Sequence, residues 1–216
     1  IRWFVRLFSH ANNDIVLCVL DILNDVTESD TLAESECQEE FLEACASEKM
    51  ADAIVDAITR LPEFDSDEDA QGVTNAFQII ENLTEAKPEL VKDFARVEAF
   101  VPFLLKRLRQ GDPPDNKCFA AEIFSILLAN DEETKKTTMA DKKKLENLVK
   151  SIAELRKLER AEDLKVDNME VEFTENVFDC LCHVLLYSEN AETFGQKTVG
   201  LDVMVRIMAQ CNFASV

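Results

Sequence analysis

Glycine and proline are scarce in this chain, whose 216 residues include four glycines and five prolines. Tight β-turns and phosphate-binding loops both need glycine at positive φ angles, so the shortage argues against a β-rich fold and against nucleotide-binding motifs. Helix-favouring Ala, Leu, Glu and Lys are abundant instead. The sequence therefore predicts an all-α protein.

Long apolar runs and targeting features are also lacking. No apolar run approaches the roughly 18 residues needed to span a bilayer, so no membrane helix is expected. The first residues, IRWFVRLFSH, are too short for a signal peptide, do not begin with Met and look like the end of an amphipathic helix. We therefore expect the chain to be a fragment of a longer protein.

Positive charge is in short supply, because 23 Lys and Arg residues stand against 43 Asp and Glu residues and give a formal net charge of −20. Direct binding of nucleic acid or of an anionic membrane surface is disfavoured, since both require cationic side chains. A basic protein or peptide is a suitable partner for such a surface. The alternative is that the charge serves solubility alone.

Catalytic and metal-binding patterns are missing as well. The seven cysteines include no CxxC pair, and Cys180, Cys182 and His183 cannot converge on one ion from a single helix. We interpret the cysteines as buried thiols in a reducing compartment. The only histidines are His10 and His183, in different repeats, and neither is expected to act as the base for a Ser or Cys nucleophile. The sequence predicts no enzyme, no metal and no cofactor.

Four long apolar helices organise the chain. They are predicted at 14–26, 70–85, 117–129 and 171–186. The expected N-terminal caps of the first three are Asn12 or Asn13, Ser66 or Asp67, and Asp115 or Asn116. Shorter helices are predicted at 1–8, 34–46, 50–61, 88–95, 97–108, 131–140, 142–158, 190–198 and 201–209.

Short, medium and long helices recur in that order. The segments VLDILNDVT, AFQIIENLT, IFSILLAND and LCHVLLYSE place apolar residues at similar positions and start 57, 47 and 58 residues apart. Three helices per unit at this period are typical of armadillo repeats, with two-helix HEAT repeats as the nearest alternative. The predicted fold is an armadillo-type α-superhelix, a right-handed solenoid of three-helix repeats. We expect one domain over 1–216, with about four repeats and partial repeats at both ends.

The third helices of an armadillo array line its concave side, so the polar stripes of the long helices are expected to face a common groove. The predicted partner-binding residues are Asp14, Asp21, Asp25, Glu28, Asn75, Gln78, Glu81, Glu85, Glu122, Glu175 and Asp179. Neighbouring stripe positions carry Ser125, Asn176 and His183. A row of carboxylates attracts an extended basic segment. The alternative is that these are ordinary solvated residues.

Five blocks of the sequence resemble, in the same order, the central part of the beta-catenin-like protein 1 family. They read SHANNDIVLCVLDILNDVTESDTLAES, GVTNAFQIIENLTEAKPEL, LLKRLRQ, AEIFSILLANDEE and ENVFDCLCHVLL. The resemblance spans essentially the whole chain and is weakest over 37–70 and 134–170. That family is nuclear, armadillo-like and associated with the spliceosome through the nineteen complex. Its members self-associate and bind basic, nuclear-localisation-type segments of splicing factors, among them a Myb-type subunit of that complex.

The resemblance thus implies a nuclear, non-catalytic scaffold for basic segments of splicing proteins, with homo-oligomers possible in the longer chain and no direct contact with nucleic acid or membrane. Importin-type receptors hold peptides with ladders of Trp and Asn on their third helices. Here the only Trp is Trp3, and Asn75 and Asn176 are not paired with Trp, so that peptide geometry is not expected. The alternatives are a nuclear-transport-type adaptor for basic cargo and a purely structural solenoid module that uses its convex or end faces.

Overall fold

The computed structural model describes residues 1–61, 66–108, 114–153 and 168–210. All regular elements within these ranges are helices, which confirms the predicted all-α class. The chain forms two compact units, Ile1–Phe103 and Leu104–Val216, called unit 1 and unit 2 below. The expectation of one repeat domain over 1–216 stays a prediction.

Unit 1 holds the first seven helices and the start of the eighth. They are α1 (Arg2–Phe8), α2 (Asn13–Thr27), α3 (Ser29–Ala33), α4 (Gln38–Ser47), α5 (Met50–Arg60), α6 (Asp67–Ala86), a 3-10 turn (Pro88–Leu90), α7 (Val91–Ala95) and α8 (Phe100–Arg107). Unit 2 contains α9 (Pro114–Asn130), a π-helical turn (Thr134–Thr138), α10 (Lys142–Ala153), α11 (Asn168–Leu185), α12 (Ser188–Lys197) and α13 (Gly200–Gln210).

Side-chain caps fix where the two long helices of unit 1 begin. The Asn12 side chain accepts a hydrogen bond of 2.9 Å from the backbone N–H of Asp14, and α2 begins at Asn13, directly after Asn12. Ser66 Oγ accepts a bond of 3.0 Å from the N–H of Asp69 and donates one of 2.8 Å to its carboxylate. Each cap satisfies a backbone donor that the first helical turn leaves without a partner. The structure thereby selects Asn12 and Ser66 among the predicted caps.

The core of unit 1 forms where α2 and α6 pack side by side. Leu20 and Leu23 of α2 are buried, as are Ile79 and Ile80 of α6. Gly72 lies where α6 packs tightly against α2, since a Cβ built there would lie 2.3 Å from Leu17 Cδ2. The missing side chain therefore allows a close approach, which brings polar side chains of the two helices within hydrogen-bonding distance.

The core of unit 2 forms between α9 and α11. Ala120 and Ala121 are fully buried on α9, opposite buried Val177 and Cys180 of α11. The Cys180 thiol donates to the carbonyl oxygen of Ala121 at 3.7 Å. Two adjacent alanines reduce the bulk between the helices, so backbone and thiol come into contact.

A buried amide ties α12 to two other elements of unit 2. Asn190 Nδ2 donates to the carbonyl oxygen of Lys135 at 2.9 Å and to that of Val184 at 3.0 Å. Both carbonyls lie near helix ends, where the helix itself supplies no donor. Asn190 therefore connects the π-helical turn, the end of α11 and the start of α12.

Two predictions about helix boundaries are wrong. No helix was predicted between the helices at 14–26 and 34–46, but α3 forms there, and its buried Leu32 stabilises the short helix. Asp115 or Asn116 was expected to cap the third long helix, but α9 already begins at Pro114. Proline suits a first helical position, because its fixed φ angle is helical and its missing N–H is not needed there.

The prediction of buried cysteines is correct for Cys45 and Cys180 and wrong for Cys18, Cys37 and Cys182, which are exposed. Cys18 and Cys182 stand on helix faces that also carry carboxylates. An apolar residue type thus occurs within a polar stripe, and periodicity alone misassigned it. All six cysteines in the described ranges are free thiols.

Some predictions fall on residues outside the described ranges. These are the final residues of the helix predicted at 142–158, and Cys211.

Candidate partner-binding surface

Asp14, Asp21 and Asp25 lie on an exposed face of α2, and Glu28, the residue that follows the helix, is exposed as well. These four residues are called the acidic stripe of α2. Spacings of seven and four residues place the three aspartates on one line of a helix with 3.6 residues per turn. The opposite side of α2 carries Val16, Leu20 and Leu23 into the core. Burial of that side leaves the acidic line directed outwards.

The intramolecular ion pairs of unit 1 use other carboxylates. The described pairs are Arg2 with Glu48, Arg60 with Asp56, Lys87 with Glu39 and Arg96 with Asp93. The Arg2 guanidinium lowers the pKa of the Glu48 carboxyl, and the Glu39 carboxylate raises the pKa of Lys87. None of the four α2 stripe carboxylates takes part in an ion pair within the described residues, so their charge is left for an external cation.

The corresponding stripe of α6 does not lie open as predicted. Glu85 is exposed and Gln78 and Glu81 are half-buried, but Asn75 is only 5% exposed. Asn75 is covered because α2 packs against it. Its amide lies between the two helices, where it is bonded to Asp21, and its predicted part in partner binding stays a prediction.

Polar side chains link α2 and α6 in two places. Asn75 Nδ2 donates to Asp21 Oδ1 at 2.5 Å, and Asn24 Nδ2 donates to Gln78 Oε1 at 2.9 Å. Gln71 Nε2 in turn donates to Asn75 Oδ1 at 2.9 Å. Hydrogen bonds to a carboxylate are stronger than neutral ones, so Asp21 is held firmly at the edge of the interface.

A cleft of about 460 Å³ opens where α2 and α6 begin. It is lined by Asp14, Leu17, Cys18, Asp21, Asp67, Glu68 and Gln71. The lining combines four carboxylates with the apolar side chain of Leu17, and it includes no cationic side chain. Such a cleft suits a long side chain with an aliphatic stem and a cationic head, as in lysine or arginine.

Sequence reasoning did not identify Leu17, Cys18, Asp67 or Glu68 as site residues. The first two appeared to belong to the apolar circumference of α2, and the last two to the loop before α6. A pairing offset of 54 residues, seen in the bond from Asn24 to Gln78, brings the two helix starts together. The first two aligned repeat segments start 57 residues apart, so the sequence gave no direct indication of a pairing at 54 residues.

Two apolar side chains stand beside the α2 acidic stripe. Ile22 is 50% exposed and Val26 is 37% exposed. Neither is among the buried residues of α2. They add apolar surface next to Asp21 and Asp25, so the open face of α2 can form apolar as well as ionic contacts.

Unit 2 carries its own acidic surface. Glu175 and Asp179 are exposed on α11 together with Glu172, and Glu122 is half-buried on α9. Burial, and then the negative charge of Glu172, raises the pKa of the Glu122 carboxyl. Both effects disfavour the charged form of the Glu122 carboxyl.

The uncharged stripe residues of unit 2 are less exposed than Glu175 and Asp179. Ser125 is buried, whereas Asn176 and His183 are half-buried. Lys117 of α9 lies with its Nζ 4.3 Å from the ring centroid of Phe173, a cation–π contact across the α9–α11 interface. The predicted common groove along all four long helices remains a prediction.

Neither a metal site nor a membrane span is found in the described ranges. No group of three or more His, Cys, Asp or Glu side chains there is arranged to hold an ion. None of the described helices is long and apolar enough to cross a bilayer.

Comparison with known proteins shows which family and which relatives the chain is similar to. Residues 1–216 match the family model described as "Catenin-beta-like, Arm-motif containing nuclear". The chain is 34% identical over 206 residues to Beta-catenin-like protein 1 of Mus musculus and to that of Homo sapiens, covering 94% of this chain and 35% of each relative. It is 25% identical over 204 residues to the Beta-catenin-like protein 1 homolog of Schizosaccharomyces pombe. The family match confirms the resemblance, the armadillo-type fold and the nuclear localisation predicted from sequence.

Proposed function

Because this chain belongs to the Catenin-beta-like family of nuclear Arm-motif proteins, we propose that it is a non-catalytic scaffold for basic segments of splicing proteins. Its partner would be a segment of the nuclear-localisation type, as in a Myb-type subunit of the nineteen complex. The observation that carries the proposal is the open acidic stripe of α2, whose carboxylates are left out of the ion pairs of unit 1. The chain spans 35% of the length of its mammalian relatives, so the proposal concerns this part of the protein.

Ionic contacts alone are too weak for stable binding. An exposed ion pair contributes about 0.2–1 kcal/mol, whereas micromolar affinity corresponds to about 8 kcal/mol. Several pairs must therefore act together with apolar contacts. Ile22, Val26 and the Leu17 floor of the cleft provide those contacts, so the preferred ligand alternates basic and apolar side chains.

The charge distribution also determines how binding depends on salt. Exposed charges are screened over about 10 Å at 0.1 M ionic strength, so a stripe-bound segment should dissociate as salt rises. A field of one sign also speeds association with a basic partner. Affinity that falls steeply between low and physiological salt is the expected result.

Binding of a fluorescent lysine-rich peptide to the chain tests the proposal, with anisotropy measured at several salt concentrations. The double variant Asp21→Lys and Asp25→Lys should abolish binding. Glu40→Lys with Glu43→Lys is a matched control, because both carboxylates are exposed on α4 and the net charge changes equally. Equal loss in both double variants would mean that only net charge matters, and retained binding in the α2 variant would refute the proposal.

A second candidate function is a structural module that contacts its partners through an end face. It is favoured by α13, where Leu201, Val205 and Met208 are 56%, 67% and 62% exposed. Spacings of four and three residues place them on one side of the helix. Pull-down of nuclear partners that survives the α2 charge reversals but is lost in Val205→Glu with Met208→Glu would support this alternative.

A further inference from the structure

Asn75 is a buried amide that connects the wall of the acidic cleft to one of its carboxylates. It is 5% exposed, and both ends of its side chain are hydrogen-bonded. Oδ1 accepts a bond of 2.9 Å from Gln71 Nε2, and Nδ2 donates one of 2.5 Å to Asp21 Oδ1. Gln71 and Asp21 both line the cleft, whereas Asn75 does not.

The direction of this hydrogen-bond chain decides what Asn75 can do. An amide can turn over and exchange its oxygen and its NH₂ group. Gln71 donates to the oxygen side, and the NH₂ group is directed at Asp21. In the reversed orientation two oxygens would face each other across the α2–α6 interface, which is repulsive. The acceptor-only carboxylate of Asp21 therefore sets the orientation of Asn75, and the bond from Gln71 is compatible with that orientation. The bond that Asn75 donates restrains the Asp21 carboxylate in turn.

Burial of an amide needs a compensating role, because an apolar residue would fill the same place without desolvating polar atoms. The neighbouring positions Val73, Ala76 and Phe77 of α6 are apolar and buried. The bond from Asn24 to Gln78 already joins the two helices through half-buried side chains. A specific use for Asn75 is therefore to hold the carboxylate to which it donates.

We infer that Asn75 is a positioning residue for ligand binding, which holds Asp21 in the orientation that receives a lysine or arginine side chain in the cleft. This inference rests on the proposed function of the same surface. Asn75 engages Oδ1 of Asp21, and Oδ2 makes no hydrogen bond within the described residues. A carboxylate fixed before binding loses less side-chain entropy when the cation arrives, which increases affinity without any contact between Asn75 and the ligand.

Asn75→Leu removes the donor while keeping a side chain of similar size. Affinity for the lysine-rich peptide should fall about three- to ten-fold, equivalent to the cost of ordering one side chain. Gln71→Leu should weaken binding in the same direction but less, because Asn75 loses one of its two hydrogen bonds and restrains the carboxylate less firmly. Gln71 is exposed, so this variant keeps the test decisive if the buried substitution at Asn75 prevents folding.

A double-mutant cycle separates positioning from a general structural effect. In an Asp21→Asn background, Asn75→Leu and Gln71→Leu should cause no further loss of affinity, since the carboxylate that they orient is gone. An equal loss in both backgrounds would overturn the inference, as would wild-type affinity in folded Asn75→Leu and Gln71→Leu proteins. A wild-type chain that does not bind the peptide at all would refute the proposed function itself.

Discussion

Asn24 Nδ2 donates a hydrogen bond of 2.9 Å to Oε1 of Gln78, and this bond joins two long helices through residues 54 positions apart. The bond from Asn75 to Asp21 has the same separation and runs in the opposite direction. Each helix thus donates once and accepts once. This reciprocal pairing fixes how α6 lies against α2, and it places the acidic starts of both helices around one cleft.

Two glycines in unit 2 should respond oppositely to the same substitution. A Cβ at buried Gly200 would lie 2.3 Å from Cε2 of the Phe194 ring, so Gly200→Ala should destabilise the fold by about 1–3 kcal/mol. A Cβ at Gly195 would meet Leu201 at an ordinary 3.6 Å, so Gly195→Ala should stabilise α12 by about 0.5–1 kcal/mol. Urea denaturation measures both changes, and a stable Gly200→Ala protein would show that Phe194 can move aside.

Glu122 should make stability depend on pH. Burial and Glu172 raise its pKa in the folded state, so the folded protein binds more protons than the unfolded one above the ordinary value of 4.5. The stability that Glu122 contributes is therefore lost as the pH rises from 4.5 through the raised pKa of the folded state. Glu122→Gln should stabilise the protein at neutral pH, with the gain shrinking towards pH 4 in urea titrations at several pH values. A gain in stability that is the same at pH 4 and at neutral pH would contradict this prediction.

Cysteine reactivity should distinguish the cleft from the core. Cys18 is exposed at the cleft, whereas burial raises the pKa of the Cys45 thiol to about 12. Iodoacetamide at neutral pH should therefore label Cys18 and spare Cys45 until the protein unfolds, as read by mass spectrometry. A bound basic peptide should slow labelling of Cys18 and leave exposed Cys37 unchanged. Equal protection of both thiols would argue against binding at the cleft.

Removal of the Asn190 amide should destabilise unit 2 strongly. Asn190→Ala leaves the carbonyl oxygens of Lys135 and Val184 without their donor in a buried environment. A buried polar group without a partner costs about 1–3 kcal/mol, and the expected loss in the free energy of unfolding is of that order. Asn130→Ala is the matched control, because its bond of 2.8 Å to the Ile126 carbonyl is exposed. That change should stay within about 0.5 kcal/mol.

Periodicity within single helices was the part of the fold that could be read from the sequence. It predicted α2 and α6 to within a few residues at each end, because their apolar faces follow the helical repeat and Asn12 and Ser66 are good caps. It could not predict α3, whose five residues are too few to show a period.

How the helices pack on one another could not be predicted from the sequence. The stripe of α2 is exposed as expected, yet Asn75 on the equivalent face of α6 is covered. Which stripe residue is covered depends on the offset and closeness of the two helices, and these are set by Gly72 and by reciprocal side-chain bonds. A pattern along one chain segment carries no information about that offset.

The bond from Asn75 to Asp21 also makes the chemistry of the cleft depend on a residue that does not line it. Loss of the carboxylate at Asp21 would leave the buried Asn75 amide without its acceptor, which costs about 1–3 kcal/mol. Redesign of the cleft for a different ligand at Asp21 therefore calls for a matching substitution at Asn75, a position that inspection of the surface would overlook.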